Sequence, residues 1–405
     1  MTTTPERSVD EAIADLIATL QPIEGIERVP TPAALGRILA EDIAAPLDLP
    51  AFDNAAMDGY AMRAADLTSP ALREIGTALA GHPFAGHVEP GACVRIMTGA
   101  PLPAGADTVV ILEDTTREDG QVRIVHAPAA GANIRRRGEH VARGDIVLPS
   151  QRQLRTADLG LAAAIGRTEL PVMRRLRVGI LSTGDELADP PALLGPGSSY
   201  DANRPFLRAS VERSGFEAID LGICADRSAD LERVLGRALA QRLDAVLISG
   251  GAAQGDADIV RRAGGVRFVP LNIRPGRGIA VSNLAQADHA LALLGLPGNA
   301  VAAFVMFHLV ARPVLLHVAG GVAAVPPSFP VPLASAVHVR GGRIDYRRAR
   351  FVRDASAALA VAPLKDQGSA MLRTIVEADA LIAVGPRADY AAGEPVETIP
   401  LAALD

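Results

Sequence analysis

Three uninterrupted aliphatic runs in the middle of the chain each end in a glycine-rich turn. They are Arg177–Leu187 (RVGILSTGDEL), Ala245–Asp258 (AVLISGGAAQGDAD) and Leu291–Asn299 (LALLGLPGN). Runs without polar alternation are typical of strands buried on both faces in a parallel sheet. Apolar residues between the runs recur at helical spacing. From about residue 176 to 325 the pattern therefore predicts an α/β domain with a mostly parallel sheet and helices on both faces.

Helices are also expected outside this domain. Ser8 and Glu11 form a capping-box pattern ahead of a short amphipathic helix. A second short helix is expected at 33–41, and another at Thr156–Ile165. The apolar helix that follows the LPGN turn is expected to bend or end at Arg312-Pro313.

The remaining regions have a β-like pattern. From Ile43 to Pro149, and again from Pro326 onward, short β-prone runs alternate with turns that contain Gly and Pro. This pattern predicts an irregular β domain and a small C-terminal β barrel or sandwich.

Composition narrows the classes of function. The chain of 405 residues is long enough for two to four domains, and its 49% apolar content is typical of a folded protein. The net charge of −6 and the absence of Trp argue against a nucleic-acid partner. Cys93 and Cys224 are isolated, which indicates neither a disulfide framework nor a zinc site. The apolar stretch Ala300–Ala311 is too short for a membrane span and the first residues lack a signal-peptide pattern. We therefore expect a cytoplasmic protein without a membrane partner.

The glycine-rich turns indicate an anionic ligand. Backbone N–H groups point into the turn where a strand ends in Gly, Ser or Thr and a helix follows. Turns from one sheet converge outside the carboxyl ends of its strands, where open α/β sheets bind ligands. Ser249-Gly250-Gly251 is thus a candidate phosphate cradle, and the small residues of Ser182-Thr183-Gly184 permit the same close approach.

Carboxylates accompany the first two turns. Asp185 and Glu186 follow the first, and Asp256 and Asp258 follow the second with a spacing that suits Mg²⁺ ligation. Acids near a helix start are also good caps. We favour function because two acid-bearing turns occur in one predicted sheet. The pattern then indicates metal-assisted chemistry on a phosphorylated compound.

Other candidates have a plainer alternative. Arg274-Pro275-Gly276-Arg277 directs two cations around a tight turn, which suits a tetrahedral oxyanion, although surface arginines are usually solvated. The polar loop Pro50–Arg63 and Thr98 are also consistent with turn building alone. Asp201 and Asn203 precede a helix and are equally explained as caps.

Three further features carry less chemistry. Asp226 ends another predicted strand. The Arg135–Arg137 and Arg343–Arg353 clusters are expected to be solvated or interfacial. His308 and His317 lie in a largely apolar helix, where satisfied buried or interfacial roles are expected.

Taken in order, these segments resemble the MoeA family of molybdopterin molybdenumtransferases, which is related to the E domains of gephyrin and of its plant counterpart. The matching segments occur in the family's order and span nearly the whole chain. They are FDNAAMDGYA (52–61), RIMTGAPLPAGAD (95–107), NIRRRGE (133–139), LSTGDEL (181–187), YDANR (200–204), SGGAAQGDAD (249–258), IRPGRG (273–278), LPGNAVAA (296–303) and DQGS (366–369).

The resemblance implies four domains, a homodimer with composite active sites and a reaction. The domains would be an elongated domain I (1–50 and 146–175), a β domain II (51–145), a MogA-like α/β molybdopterin-binding domain III (176–325) and a β-barrel domain IV (326–405). The implied enzyme takes adenylylated molybdopterin and molybdate and, with Mg²⁺, cleaves the phosphoanhydride. It releases AMP and leaves molybdenum on the pterin dithiolene.

Matching the motifs position by position implies residue roles. The catalytic residues would be Asp58, Thr98, Glu186, Asp226 and Asp258. The Mg²⁺ ligands would be Asp58, Glu186, Asp256 and Asp258. Molybdate would bind Arg274, Arg277, Arg348 and Ser369. The pterin–nucleotide cleft would be lined by Ser182, Thr183, Gly184, Asp201, Ser249, Gly250, Gly251, Pro297, Gly298 and Asn299.

The sequence departs from the family pattern at several positions. Arg274 and Arg277 stand where the family commonly has Lys, Ala300 where it has Pro, and His140 where it has an acid. Arginine keeps the charge but changes its geometry and hydration. Two alternatives therefore stay open: a molybdopterin adenylyltransferase, which shares only the α/β domain, and a catalytically weak paralogue that acts as a binding scaffold. A separate adenylyltransferase is the expected partner that supplies the substrate.

Overall fold

The computed structural model describes residues 6–250, 265–286, 289–354 and 356–404. The chain divides into two compact units. Unit 1 comprises Met1–Glu41, Ser150–Arg155 and Glu169–Asp405, and unit 2 comprises Asp42–Pro149 and Thr156–Thr168. The four finer domain boundaries given above stay a prediction.

The described part of the chain contains both helices and many short strands. The helices are α1 (Val9–Ile17), α2 (Thr156–Ala164), α3 (Asn203–Arg213), α4 (Ser228–Ala240), α5 (Ala300–Met306), α6 (Arg312–Val318) and α7 (Arg373–Glu377). The strands are β1 (Ile26–Pro30), β2 (Ile43–Ala44), β3 (Asn54–Ala55), β4 (Gly59–Met62), β5 (Leu72–Ala78), β6 (Ala92–Ile96), β7 (Thr108–Ile111), β8 (Thr115–Glu118), β9 (Gln121–Ile124), β10 (Ile134–Arg135), β11 (Ile146–Leu148), β12 (Glu169–Met173), β13 (Arg177–Thr183), β14 (Leu187–Ala188), β15 (Ser199–Tyr200), β16 (Glu217–Cys224), β17 (Ala245–Ser249), β18 (Arg267–Pro270), β19 (Ile273–Arg274), β20 (Gly278–Gln286), β21 (His289–Leu296), β22 (Phe329–Pro332), β23 (Val337–His338), β24 (Ile344–Arg353), β25 (Leu359–Pro363), β26 (Ala380–Val384), β27 (Asp389–Tyr390) and β28 (Pro395–Pro400).

Local signals in the sequence predict some helix boundaries and miss others. The capping box of Ser8 and Glu11 is confirmed at the start of α1. The helix expected at 33–41 is wrong: a single 3-10 turn, Thr31–Ala34, is followed by Gly36 at φ +73°, which turns the chain away from helical geometry.

The central sheet of unit 1 has six strands in the order β16-β13-β17-β21-β20-β18. The first four run parallel, whereas β20 and β18 are antiparallel to their neighbours. All three aliphatic runs found in the sequence lie among the parallel strands. Their carboxyl ends therefore meet at one edge of the sheet, which we call the carboxyl edge.

Both faces of this sheet are covered by helices. Val178 and Ile180 of β13 face a core that includes Leu207 of α3 and the long apolar helix. Leu181 on the same strand faces the opposite core, with Leu231 of α4. Side chains alternate between the two sides of a strand, so a strand buried on both sides has no polar alternation.

The apolar helix after β21 does not end at the proline. Helical structure continues from α5 through a π-helical segment, Phe307–Ala311, into α6, where Pro313 sits in the first turn. A proline cannot donate a hydrogen bond to the preceding turn, and the π segment just before it accommodates that gap. The resulting stretch, Ala300–Val318, has the length and apolarity of a membrane span but is mostly buried inside the protein.

The two histidines of this helix differ in environment. Nε2 of His317 lies 3.1 Å from the carbonyl oxygen of Leu20. His308 is buried, and neither ring nitrogen has a hydrogen-bond partner among the described residues, so the expectation of a satisfied buried histidine is wrong here, while an interfacial role stays a prediction. Burial and the nearby charge of Arg312 lower the pKa of His308 to about 3.

The C-terminal part of unit 1 is a second sheet. Strands β19, β24, β26, β28 and β22 pair in that order, and β25 pairs with β24. A bridge between Leu333 and Val361 joins the β22 end of this path to β25. The closed path surrounds an apolar interior that includes Leu333, Val361 and Ile382.

Unit 2 is built around a six-stranded sheet with the order β7-β4-β6-β5-β9-β8. Its apolar residues form two small clusters, one around Ala61 and Val94 and the other around Met62 and Cys93. Cys93 is buried and unpaired, and burial raises the pKa of its thiol to about 12.

A bidentate ion pair supports the amino end of the central sheet. The guanidinium of Arg174 donates to both carboxylate oxygens of Asp244 at 2.7 and 2.8 Å, and the backbone N–H of Arg177 donates to Asp244 at 2.8 Å. Asp244 is nearly fully buried. We expect Asp244→Ala to lower the free energy of unfolding by about 3 kcal/mol, because the half-buried Arg174 guanidinium and the Arg177 N–H lose their partner.

Urea unfolding of the variant checks this value. Glu212→Ala is the matched control, since it removes a carboxylate from the exposed pair with Arg208 on α3. It should cost less than about 0.5 kcal/mol. Equal losses in the two variants would contradict the proposed support.

The turn after β17 depends on a glycine. Gly250 has φ +91°, and a Cβ there would lie 2.5 Å from the carbonyl oxygen of Thr183. Gly250→Ala should destabilise unit 1 by about 2 kcal/mol or more, through backbone strain and this collision.

Gly236→Ala is the control for this substitution. Gly236 lies inside α4, where a Cβ meets nothing within 4 Å. This change should raise stability by up to about 1 kcal/mol, because alanine favours the helix. Thermal unfolding of both variants checks the opposite signs, and a neutral Gly250→Ala would contradict the strained turn.

Candidate active site

The carboxyl edge brings three predicted turns together. Ser182 of β13 lies opposite Ser249 of β17, and Ser249 lies opposite Leu296 of β21. Asn203, at the start of α3, joins two of the turns: its side-chain amide donates to Ser249 Oγ and to the carbonyl oxygen of Gly298, both at 2.6 Å. Register and this bridge together fix the positions of the turns.

A cleft of about 530 Å³ opens at this edge. We call it the turn cleft. Its lining includes Thr183, Glu186, Asp201, Ser249, Gly298 and Asn299. Five of these, all except Glu186, are predicted pterin–nucleotide residues. Two more lie beside the cleft: Ser182 pairs with Ser249, and the Cα of Gly250 would lie 3.6 Å from a Cβ at Gly298. Seven of the predicted residues therefore lie in or beside one concave site.

Polar atoms at the turn cleft lack partners. Ser182 Oγ, Thr183 Oγ1 and Asn203 Oδ1 are buried, and none accepts or donates a hydrogen bond within the described residues. Buried polar groups are normally paired. Unpaired groups concentrated at one edge therefore indicate that a polar ligand or ordered water completes the site.

Asp201 has an internal role as well as a place in the cleft. Its carboxylate accepts from the backbone N–H groups of Asn203 and Arg204 at 3.0 and 3.1 Å, and from the Arg204 side chain at 3.0 Å. It therefore orders the start of α3, as the cap alternative expected. A direct ligand contact by Asp201 stays a prediction.

Acidic groups cluster beside the turn cleft. The backbone N–H of Asp226 donates to Asp185 Oδ1 at 3.1 Å. Burial raises the pKa of the Asp226 carboxyl, and the charges of Asp185 and Glu186 raise it further. A cation bound here would relieve this repulsion, and carboxylate oxygens suit Mg²⁺.

The metal site cannot be assembled from the described residues alone. Within residues 6–250, 265–286, 289–354 and 356–404, no three His, Cys, Asp or Glu side chains are arranged to hold a metal ion. Gly251, Asp256 and Asp258 lie outside the described residues. Their proposed roles stay predictions.

A second cavity, of about 590 Å³, adjoins the turn cleft. It shares Gly298 and Asn299 with that cleft. Four arginines line it: Arg274, Arg277, Arg340 and Arg343. We call it the arginine cavity. Ser369 and Pro297, both predicted site residues, also line it.

The arginines of this cavity differ in whether their side chains already have a hydrogen-bond or ion-pair partner. Arg343 pairs with Glu6, and the side chain of Arg274 donates to the carbonyl oxygen of Arg340. The side chains of Arg277 and Arg340 are exposed and make no hydrogen bond or ion pair with other described residues. Two cations are thus available to an anion.

Arg348 is placed differently from the other predicted molybdate residues. It has no exposed surface. Its guanidinium donates to Thr374 Oγ1 and to the carbonyl oxygen of Gly368, each at 3.0 Å. Arg348 therefore holds the 366–369 loop that carries Ser369, and it does not line the arginine cavity.

In unit 2, Asp58 and Thr98 lie together. The backbone N–H and the hydroxyl of Thr98 both donate to Asp58 Oδ1 at 2.7 Å. The backbone hydrogen bond, followed by the hydroxyl bond, lowers the pKa of the Asp58 carboxyl. Asp58 is therefore a fixed, ionised and exposed carboxylate.

The sequence interpretation missed several features. Arg136 and Arg137 are exposed, as a solvated face requires, but their side chains also pair with Asp53 and Asp48, which was not predicted. Arg343 lines the arginine cavity instead of a solvated face, and Asp345 and Arg340 join it there. The pairing of β19 with β24 brings these residues to the cavity, and no local sequence signal reveals this pairing.

Family models match most of the chain. Residues 7–166 match the MoeA N-terminal region (domain I and II), residues 179–317 match the probable molybdopterin binding domain, and residues 330–401 match the MoeA C-terminal region (domain IV).

Known proteins with these regions are similar over their whole length. The molybdopterin molybdenumtransferase of Haemophilus influenzae is 35% identical over 401 residues, covering 97% of this chain and 98% of that protein. Molybdopterin molybdenumtransferase 2 of Mycobacterium tuberculosis is 35% identical, with 93% and 95% covered. The crystal structure of the molybdopterin biosynthesis MoeA protein from Pyrococcus horikoshii OT3 superposes with a TM-score of 0.80 at 27% identity, covering 98% of this chain and 100% of that one. The chain belongs to the MoeA family.

Proposed function

We propose that the protein is a molybdopterin molybdenumtransferase of molybdenum cofactor biosynthesis. It takes adenylylated molybdopterin and molybdate, transfers molybdenum to the pterin dithiolene and releases AMP. The observation that carries this proposal is that the two cavities of unit 1 adjoin each other. An oxyanion site and a site for a phosphorylated ligand share the turn at Gly298 and Asn299, so two substrates bound there would be neighbours.

The turn cleft is suited to the pterin–nucleotide substrate. Small residues at its base allow a phosphate to approach the backbone, and Gly250 leaves no side chain in the way. Ser182, Thr183 and Asn203 supply the unpaired polar atoms that a pterin or phosphate would satisfy. No covalent enzyme intermediate is needed, because positioning the two substrates accounts for the catalysis.

The arginine cavity is suited to molybdate. Guanidinium groups offer several N–H donors in a plane and remain charged at every relevant pH. Arg277 is exposed and its side chain makes no hydrogen bond or ion pair among the described residues, so it can contact the oxyanion directly. Arg348 acts indirectly, by holding the loop of Ser369.

We assign Mg²⁺ to the acidic side of the turn cleft. Among the described residues, Glu186 lines the cleft, and the charge repulsion beside Asp226 favours a cation. Glu186, Asp256 and Asp258 would hold the ion, and Asp58 is assigned to it from the family resemblance. Mg²⁺ would offset charge on the phosphoanhydride and on the leaving AMP. Thr98 keeps Asp58 ionised and in one orientation.

Other parts of the proposal rest on the family resemblance. They are a homodimer with composite active sites, a cytoplasmic location and a separate adenylyltransferase that supplies the substrate. The adenylyltransferase alternative is not favoured for this chain, because the family matches include the regions on both sides of the molybdopterin-binding domain. The scaffold alternative is not favoured either, since the exposed carboxylates Asp58 and Glu186 are present.

AMP release tests the proposed function directly. Purified protein is given adenylylated molybdopterin and Mg²⁺, with and without molybdate, and both AMP and pterin-bound molybdenum are measured. Release that depends on molybdate and leaves molybdenum on the pterin supports the proposal. No release from a folded protein with active substrate would overturn it.

The carboxylates give a second prediction. Glu186→Gln and Asp58→Asn should each reduce AMP release by about 100-fold or more while the protein stays folded, because each removes a charge assigned to the metal. Glu232→Gln on α4 and Asp119→Asn, an exposed turn residue of unit 2 that tolerates asparagine, are the matched controls. Circular dichroism verifies folding. Near-normal release by both site variants would refute the metal role.

The arginine cavity gives a third prediction. Arg277→Ala should raise the half-saturating molybdate concentration at least about 10-fold, since a charge-assisted hydrogen bond to an oxyanion contributes about 1.5–3 kcal/mol. The half-saturating concentration of the pterin substrate should change little. Arg28→Ala, on the exposed strand β1, is the control because Arg28 lines neither cavity. An unchanged molybdate requirement would remove Arg277 from the oxyanion site.

A further inference from the structure

A single carboxylate lies among the arginines of the arginine cavity. Asp345, on β24, is the one acidic residue among the described residues that line it. Its strand position is opposite Arg274 of β19 in a parallel register, directly beside the Arg-Pro-Gly-Arg turn. Asp345 is half-buried. A negative charge is not expected in a site that binds an anion, so this residue requires an explanation.

Asp345 is not the ion-pair partner of its neighbours. The arginine opposite it in the sheet, Arg274, directs a hydrogen bond to the carbonyl oxygen of Arg340 instead. Arg343 is paired with Glu6, and Arg348 donates to the 366–369 loop. The Asp345 carboxylate makes no hydrogen bond or salt bridge with any other described residue. It is therefore available to a ligand in the cavity.

The neighbours of Asp345 in the sheet include three arginines and one apolar residue. Arg347 and Arg348 belong to its own strand, Arg274 to β19, and β26 places Val384 opposite it. Burial raises the pKa of the Asp345 carboxyl, and the charges of Arg347, Arg274 and Arg348 oppose but do not cancel this effect. A bound dianion would raise the pKa further, because it favours the neutral acid.

We propose that Asp345 is the general acid of the metal-transfer step, holding a proton next to the bound oxyanion and passing it to the oxygen that leaves. This role deepens the proposed function and rests on it. Transfer of molybdate to the dithiolene forms two Mo–S bonds and breaks one Mo–O bond. The two thiols release two protons, and the oxide leaves as water with both. Asp345 gives one proton to the oxide and regains one from the first thiol, the proton of the second thiol passes to the same oxide, and no electron is transferred.

The reaction needs a general acid in the arginine cavity because the other side chains that line this cavity cannot provide protons. Arginine stays protonated at neutral pH and is a poor acid. A carboxyl group with a raised pKa holds a proton closer to neutral pH and still gives it up readily. Ser369 and Gln367, also in the cavity, can donate hydrogen bonds but do not titrate near neutral pH.

Anion binding tests the protonation independently of turnover. Sulfate is the probe, since it is a tetrahedral dianion throughout pH 5–8 and does not react. Calorimetric titrations in buffers with different ionisation enthalpies should show proton uptake on binding to the wild-type protein, at most about one proton per anion. Sulfate should bind more weakly as the pH rises and Asp345 ionises. In Asp345→Asn both the uptake and the pH dependence should disappear, with affinity equal to or above that of the wild type.

Turnover tests the acid role itself. At saturating molybdate, Asp345→Asn should release AMP and form the molybdenum–pterin product about 100-fold more slowly, with an unchanged or lower half-saturating molybdate concentration. Asp345→Glu should recover part of the rate with a shifted pH profile. Asp389→Asn, an exposed carboxylate of β27, is the control with wild-type behaviour in both assays.

The outcomes separate this proposal from the proposed function. Normal product formation and an unchanged pH profile in Asp345→Asn would overturn the acid while leaving the transferase intact. Loss of molybdate affinity without a pH effect would also overturn it, since that result marks a structural counter-ion. If the wild-type protein itself shows no turnover, the proposed function fails. Independently of turnover, proton uptake that persists in the sulfate titration of Asp345→Asn would show that Asp345 is not the group that takes up the proton, and would overturn the proposal.

Discussion

The parallel register of β13, β17 and β21 is the constraint on which the rest of the site depends. Because the three strands run in the same direction, Thr183, Ser249 and Leu296 end at one edge, and the turns that follow must converge. The amide of Asn203 then closes the arrangement by bonding to two of those turns at once. The side chains left unpaired at this edge are those that a ligand would satisfy.

The sequence contains enough information for the central sheet but not for the arginine cavity. An aliphatic run that ends in Ser-Gly-Gly is a local signal, and its burial and turn follow from side-chain size and backbone freedom. The cavity is different, because β19 and β24 are about 70 residues apart and pair only in the folded chain. Asp345 and Arg340 therefore look like ordinary surface charges in the sequence. Arg348 illustrates the reverse case: its motif position suggested a ligand contact, yet tertiary packing has buried it and turned its donors to a loop.

The long apolar helix shows a related limit. Its proline is a reliable local signal for a break, but the segment before it adopts π geometry and the helix continues into α6. Packing against the central sheet favours a continuous helix, since most residues from Val301 to Val318 are buried. The same packing buries His308, whose ring nitrogens have no hydrogen-bond partner in the described part of the chain, and keeps it neutral by lowering its pKa to about 3. Tertiary burial has overridden both the helix-breaking tendency of proline and the usual pairing of a buried histidine.

The surroundings of three carboxyl groups shift their pKa values in different directions. Asp58 accepts two hydrogen bonds from Thr98, which lower its pKa and keep it available as an anion. Asp226 is exposed, but partial desolvation and the neighbouring charges of Asp185 and Glu186 raise its pKa. For Asp345, burial outweighs the neighbouring arginines, and an arriving anion moves the balance further toward the neutral acid. Groups of one chemical type thus acquire the separate tendencies that a metal-assisted transfer needs: one to stay ionised, one to attract a cation and one to carry a proton.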